Sequence, residues 1–224
     1  MKNYFSPLHL LFFVFLLSIM MMLIQIELLS FAFAKLGLAP EMGVGVLVLS
    51  LSLFGSIVNL PVTKIKSHAP IQEPLQSVYW GLLRMPMPSF QNETQIFVNL
   101  GGCLIPATLS IYLYSHSTLS LLSVLTGIAI MSIISYFFSR PIRGLGIGMP
   151  ILVAPISAAL VGLLINPEQS AALAYISGTL GVLIGADLFR LKDISRLGTP
   201  YASIGGAGTF DGIFITGIVA ALLA

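Results

Sequence analysis

Apolar residues run through this chain in long blocks bounded by polar breakers, not at the spacing of a single amphipathic face. Seven blocks stand out, at 8–33, 42–60, 95–114, 119–138, 149–165, 170–189 and 205–224. Each is close to the roughly 20 residues a helix needs to cross a bilayer. The pattern therefore predicts an all-α integral membrane fold, a bundle of about seven transmembrane helices forming a single domain over residues 1–224. No internal repeat or low-complexity tract interrupts it.

One long polar stretch separates the second and third blocks. Residues 61–93 contain Pro61, Pro70, Pro74, Pro86 and Pro88 and are too few for an independent domain. They are expected to form a cytoplasmic loop. Within it Leu75, Val78, Tyr79, Leu82 and Leu83 follow helical spacing beside Trp80 and Arg84. That spacing suits a short helix lying in the headgroup layer or capping the bundle.

Composition agrees. Of 224 residues, 57% are hydrophobic and 8% charged, against roughly 25% charged in soluble domains. The mean hydropathy of +1.01 excludes a water-soluble globule. A net charge of +2 leaves too little basic surface for a nucleic-acid binder. Placement matters more than the sum. With seven spans, Lys2, Lys64, Lys66, Arg84, Arg140, Arg143, Arg190, Lys192 and Arg196 fall on one side and Lys35 alone on the other. By the positive-inside rule the N-terminus is cytoplasmic and Ala224 outside, in a cell's inner (plasma) membrane. Lys2 and the Ala32-Phe33-Ala34 site resemble a secretory signal, but the apolar block exceeds the usual 7 to 15 residues of a signal core, so a retained anchor is expected. Cys103 is the single cysteine, and His9, His68 and His116 lie far apart. Neither a disulfide, a metal site nor a cofactor is expected.

An ionised side chain at the centre of a membrane helix costs about 2.5 to 3.5 kcal/mol, so each one asks for a reason. The candidates are Glu27, Asp187 and Asp211. A last helix beginning after Asp211 would reach only about 20 Å, whereas one beginning near Gly205 reaches about 30 Å and carries Asp211 roughly 9 Å inside. Asp187 lies about 4.5 Å along its own helix from Arg190. The two carboxylates are thus expected at similar depth on sequential antiparallel helices. Facing carboxylates in a site of low dielectric share one proton. The anion then takes a proton from an attacking water and its protonated partner donates to the carbonyl oxygen, which is how an amide is split without a metal. A purely structural role would instead pair Asp187 with Arg190 or Arg196 and set Asp211 at the positive end of its helix. Gly178, Gly181 and Gly185 form a stripe for close helix packing.

The segments Gly185-Ala186-Asp187-Leu188 and 205–214, Gly-Gly-Ala-Gly-Thr-Phe-Asp-Gly-Ile-Phe, resemble an uncharacterised bacterial and archaeal membrane family, domain of unknown function 1614. That resemblance extends over most of the chain and implies no activity. The same residues also resemble the intramembrane aspartyl proteases of the presenilin and signal-peptide-peptidase type. These carry one aspartate after a tyrosine on an inward-running helix and a second in a Gly-x-Gly-Asp motif on the next helix. The resemblance implies Asp187 and Asp211 as catalytic residues. It also implies Gly208 as a point of close approach, and Pro150 and Pro155 as residues shaping the substrate site in place of that family's Pro-Ala-Leu motif. This chain departs from the pattern in having Ala186 for the tyrosine, Phe210 for the second glycine, and its prolines before the aspartates.

The expected function is therefore an intramembrane aspartyl protease or hydrolase, with membrane lipids as surroundings and a transmembrane peptide as substrate. Two other readings use the same sequence. A proton- or cation-coupled transporter would use the carboxylates together with the interruptions at Gly101, Gly102, Pro106, Pro150 and Pro155. A phospholipid or lipid-phosphate handling protein would use Arg140, Arg143, Arg190, Lys192 and Arg196 beside the glycine-rich segments at 144–148 and 205–208.

Overall fold

A computed structural model describes residues 15–20, 27–28, 30–37, 42–67, 93–142, 146–195, 201–206 and 212–224. The chain is mostly helical, as the apolar blocks predict. Among the described residues two helices, Leu121–Phe138 and Pro167–Leu188, are long and apolar enough to cross a membrane, and Val153–Ile165 is a shorter apolar one. The expected interfacial helix around Leu75, together with Asp211 and Gly208, lies outside the described residues.

In chain order the main elements are helix α1 (Met42–Gly55), strands β1 (Asn59–Lys66) and β2 (Glu93–Asn99), and helices α2 (Ile105–His116) and α3 (Leu121–Phe138). A small hairpin follows, of β3 (Arg140–Ile142) and β4 (Gly146–Gly148). Then come α4 (Val153–Ile165), α5 (Ser170–Val182), the short α6 (Leu191–Ile194), β5 (Tyr201–Ile204) and α7 (Gly212–Leu223). Two π-helical turns, Leu100–Leu104 and Leu183–Leu188, lead into α2 and out of α5.

Helix α5 is the axis of the molecule, buried on every face and packed against α2, α3, α4 and α7. Small residues let neighbouring helices approach closely. A Cβ on Gly178 would stand 2.9 Å from the Ala158 Cβ of α4, while Gly181 and Gly185 abut Met131 and the Ser132 carbonyl of α3. The glycine stripe thus serves two neighbours. Helices α5 and α7 run antiparallel: Ser170 Oγ donates to the Ala224 carbonyl at 2.9 Å, Gly217 meets Tyr175 and Thr179, and Ile213 packs with Ala186. In contrast α3 turns Leu122, Leu125, Ile133 and Phe137 outward.

The strands correct the all-α expectation. β2 lies between β1, antiparallel to it, and β5, parallel to it. Residues 95–99 therefore belong to a strand, and the helical part of the third block begins at Leu100. Likewise α1 ends at Gly55, and the polar stretch from Pro61 begins inside β1. The reason is local: buried Thr94 and Ile96 alternate with the less buried Glu93, Gln95 and Phe97 at the period of a strand, which a mean over 20 residues hides. The register of β1 on β2 slips between Pro61 and Thr63, a bulge that an edge-strand proline tolerates. Gly205 and Gly206 have φ of +83° and +96°, so neither residue is helical, and the described part of α7 runs over Gly212–Leu223.

Nor do the prolines kink α4. Pro150 precedes it, with its carbonyl accepting from Val153 N–H at 3.1 Å. Pro155 sits in the first turn, where the missing N–H would have had no intrahelical partner. Ahead of Pro106 the interruption is a π-helical turn at Gly101 and Gly102, a feature often found at functional sites.

Candidate functional site

Asp187 stands in the π-helical turn that ends the long buried helix, partly buried. Its Oδ2 accepts the backbone N–H of Gly205 at 2.7 Å. That donor is aimed by the positive φ of Gly205, which an L side chain rarely adopts. A Cβ on Gly205 would lie 2.7 Å from both Cβ and N of Cys103 and 2.8 Å from the Gly102 carbonyl carbon. Gly205 is therefore seated on the first π-helical turn while it holds the aspartate of the second.

That seat is fixed by a buried polar network. Asn99, 1% exposed, accepts from Gly102 N–H at 2.8 Å and donates through Nδ2 to the Ser56 carbonyl at 2.7 Å and to Asn59 Oδ1 at 3.0 Å. Ser203 Oγ of β5 donates to the same Asn59 oxygen at 2.9 Å, and Ser52 Oγ donates to the Gly101 carbonyl at 2.8 Å. Buried polar groups are kept only when they are paired. This network joins α1, β1, β2 and β5 to the first π-helical turn.

Arg190 does not neutralise Asp187. Its guanidinium donates to the Tyr136 carbonyl (2.7 Å), the Ser139 carbonyl (2.8 Å) and Ser139 Oγ (3.2 Å), and pairs with Asp193 at 3.1 Å. It also lies 4.3 Å from the centre of the Tyr136 ring. Arg190 is thus the cap of α3, satisfying carbonyls that the helix end leaves bare.

Around Asp187 the elements converge as follows. Ala154, Val182, Leu183, Ala186 and Ile213 form one apolar cluster bordered by Cys103, Met149 and Ile204. Ala186 immediately precedes Asp187 and Ile213 follows Asp211 by two residues. The structure thus brings together Asp187, Gly205, the first turns of α4 and α7, and the first π-helical turn. Pro155 is buried beside Ala154, whereas Pro150 is exposed. Asp211 and Gly208 lie outside the described residues. Sequence reading assigns Asn99 no role, although an asparagine directly before Leu100-Gly101-Gly102 is the residue type that caps such a turn.

Residues 53–223 match the model of a family described as "Protein of unknown function (DUF1614)". No curated protein and no solved structure matches the chain.

Proposed function

We propose that this chain, which belongs to the DUF1614 family, is a multi-pass inner-membrane aspartyl hydrolase that cuts transmembrane peptides through Asp187 and Asp211. One observation carries the reading. Asp187 ends the buried helix with a neutral backbone amide as its hydrogen-bond partner, beside the first turn of the helix that follows Asp211. Among the described residues the ion pairs are Lys64–Glu93 and Arg190–Asp193, so no described cation holds Asp187 in a merely structural pair.

The chemistry follows from the two carboxyls. The ionised one takes a proton from water as the water oxygen bonds to the peptide carbonyl carbon, and the protonated one donates to the carbonyl oxygen. Collapse breaks the C–N bond, the amine nitrogen leaves with a proton, and no cofactor is consumed. Strand β5 supports access for a substrate: it pairs with β2 and stands at the sheet edge directly before Gly205, so an unwound peptide can hydrogen-bond along it.

The proposed topology has seven spans, a cytoplasmic N-terminus and an outer C-terminus. It is supported by Lys64, Lys66, Arg140, Arg190 and Lys192 gathering around the strands, while Lys35 donates to the Leu222 carbonyl at the opposite end, at 3.2 Å.

The test uses reconstituted full-length chain, a library of transmembrane peptides read by mass spectrometry, and a hydroxyl-bearing transition-state mimic carrying a photolabel. Asp187→Asn and Asp211→Asn are each expected to abolish cleavage and labelling. Cleavage that survives either substitution refutes the two-aspartate site. The two π-helical interruptions favour a second reading, coupled transport: proton-driven uptake lost in Asp187→Asn and kept in Asp211→Asn would establish it instead.

A further inference from the structure

At the end where the basic residues gather, β1 and α6 border an open cavity of about 330 Å³ lined by Ile65, Lys66, Leu191, Lys192 and Ser195. The two walls are held together. Ser67 Oγ donates to the Ser195 carbonyl at 2.7 Å, and Ile65 and Leu191 pack on the buried pair Ile96 and Ile194. Each wall leads directly out of chain that exposes apolar side chains: Leu60 and Val62 on β1, Leu188 and Phe189 ahead of α6. The cavity thus sits on the seam between lipid-facing and basic surface.

Among the described residues nothing compensates its charge. Glu93 faces Lys64 and Asp193 faces Arg190, whereas Lys66 and Lys192 have no ion pair among the described residues. Ser195 Oγ donates to the Lys192 carbonyl at 2.8 Å, so towards the cavity it offers lone pairs and can accept a hydroxyl. Two ammonium groups over an apolar floor, with one hydroxyl acceptor, match a ligand that has an anionic head, a hydroxyl and an apolar stem.

We infer that this cavity binds the headgroup of an anionic phospholipid, its phosphate between Lys66 and Lys192 and its glycerol stem against Ile65 and Leu191. The long lysine stems can lie along the apolar floor and keep their charge at the polar rim. A hydroxyl-bearing headgroup such as phosphatidylglycerol fits Ser195. The site does not depend on Asp187 or Asp211 and holds whatever reaction they perform.

Native mass spectrometry of the detergent-solubilised full-length chain, titrated with phosphatidylglycerol or phosphatidylcholine, tests it. Phosphatidylglycerol is expected to bind first. Each of Lys66→Gln and Lys192→Gln is expected to weaken it about fivefold, and both together roughly thirtyfold. Lys64→Gln, which removes an equal charge outside the cavity, should leave it unchanged. Three results overturn the inference: no loss in the double variant, an equal loss in Lys64→Gln, or release of the lipid by inorganic phosphate, which would make this a site for free phosphate. Both lysines are exposed, so the variants are expected to fold, and unchanged reactivity of Cys103 verifies it.

Discussion

Replacing Gly205 by alanine tests the junction on which Asp187 rests. The substitution carries two separable costs. At φ +83° a side chain strains the backbone by about 1–2 kcal/mol. The new methyl also meets Cys103 Cβ and N at 2.7 Å and the Gly102 carbonyl carbon at 2.8 Å, an overpacking of about 1–3 kcal/mol. Gly37→Ala supplies the control, because Gly37 has φ +72° and nothing within 4 Å of its Cβ position, so it carries the first cost alone. Cys103 is the single cysteine and touches the position of the added methyl, so the rate at which a thiol-reactive fluorophore labels it reports opening of this junction. Where opening is fast relative to labelling, the rate follows the open population, and Gly205→Ala should label at least about 5- to 150-fold faster than Gly37→Ala. Equal rates in the two variants would show that the first π-helical turn does not seat Gly205.

Two further substitutions address the supports of the site. Arg190→Lys keeps the charge but cannot reach two carbonyls, a hydroxyl and Asp193 at once; a loss of about 1–3 kcal/mol should appear as faster amide exchange over the last turn of α3. Asn99→Asp keeps the acceptor for Gly102 N–H and removes both donors, setting a buried carboxylate against the Ser56 carbonyl and Asn59 Oδ1. Thermal unfolding should show it less stable than Asn99→Ala, which leaves the same two acceptors and also Gly102 N–H unpaired, at a cost of about 1–3 kcal/mol for each orphan, but buries no unpaired charge against them. Equal stability of the aspartate and alanine variants would refute the donor assignment.

What can be read in the sequence divides along the range of the forces involved. The helices at 121–138 and 170–188 announce themselves because hydropathy is a local sum, and their antiparallel neighbour at 212–223 follows from chain direction. Strands escape notice where a handful of alternating residues, Glu93 to Asn99, adjoin a helical block and raise its average. Nothing along the chain says that Gly205 would meet Gly102 and Cys103, because that contact joins residues about a hundred positions apart. Arg190 is misplaced for a similar reason. An i−3 partner, Asp187, is visible in the sequence, but the carbonyls left bare at the end of α3 are stronger claimants and become visible only when the helices pack. Asp187 itself is legible because charge inside an apolar block is conspicuous at any range.

The buried position of α5 also bears on how the molecule is made. A ribosome delivers Ser170–Val182 before Gly212–Leu223 exists, so the side that later meets Gly217 through Tyr175 and Thr179 is first made without its neighbour. The short connection at Asn166, whose side chain accepts from Gln169 N–H at 3.1 Å, lets α4 and α5 form together as a hairpin. Until α7 arrives, that hairpin leaves a polar seam uncovered. Arrival of α7 is then the moment at which the seam is covered, and a chain halted between residues 188 and 212 still carries it open.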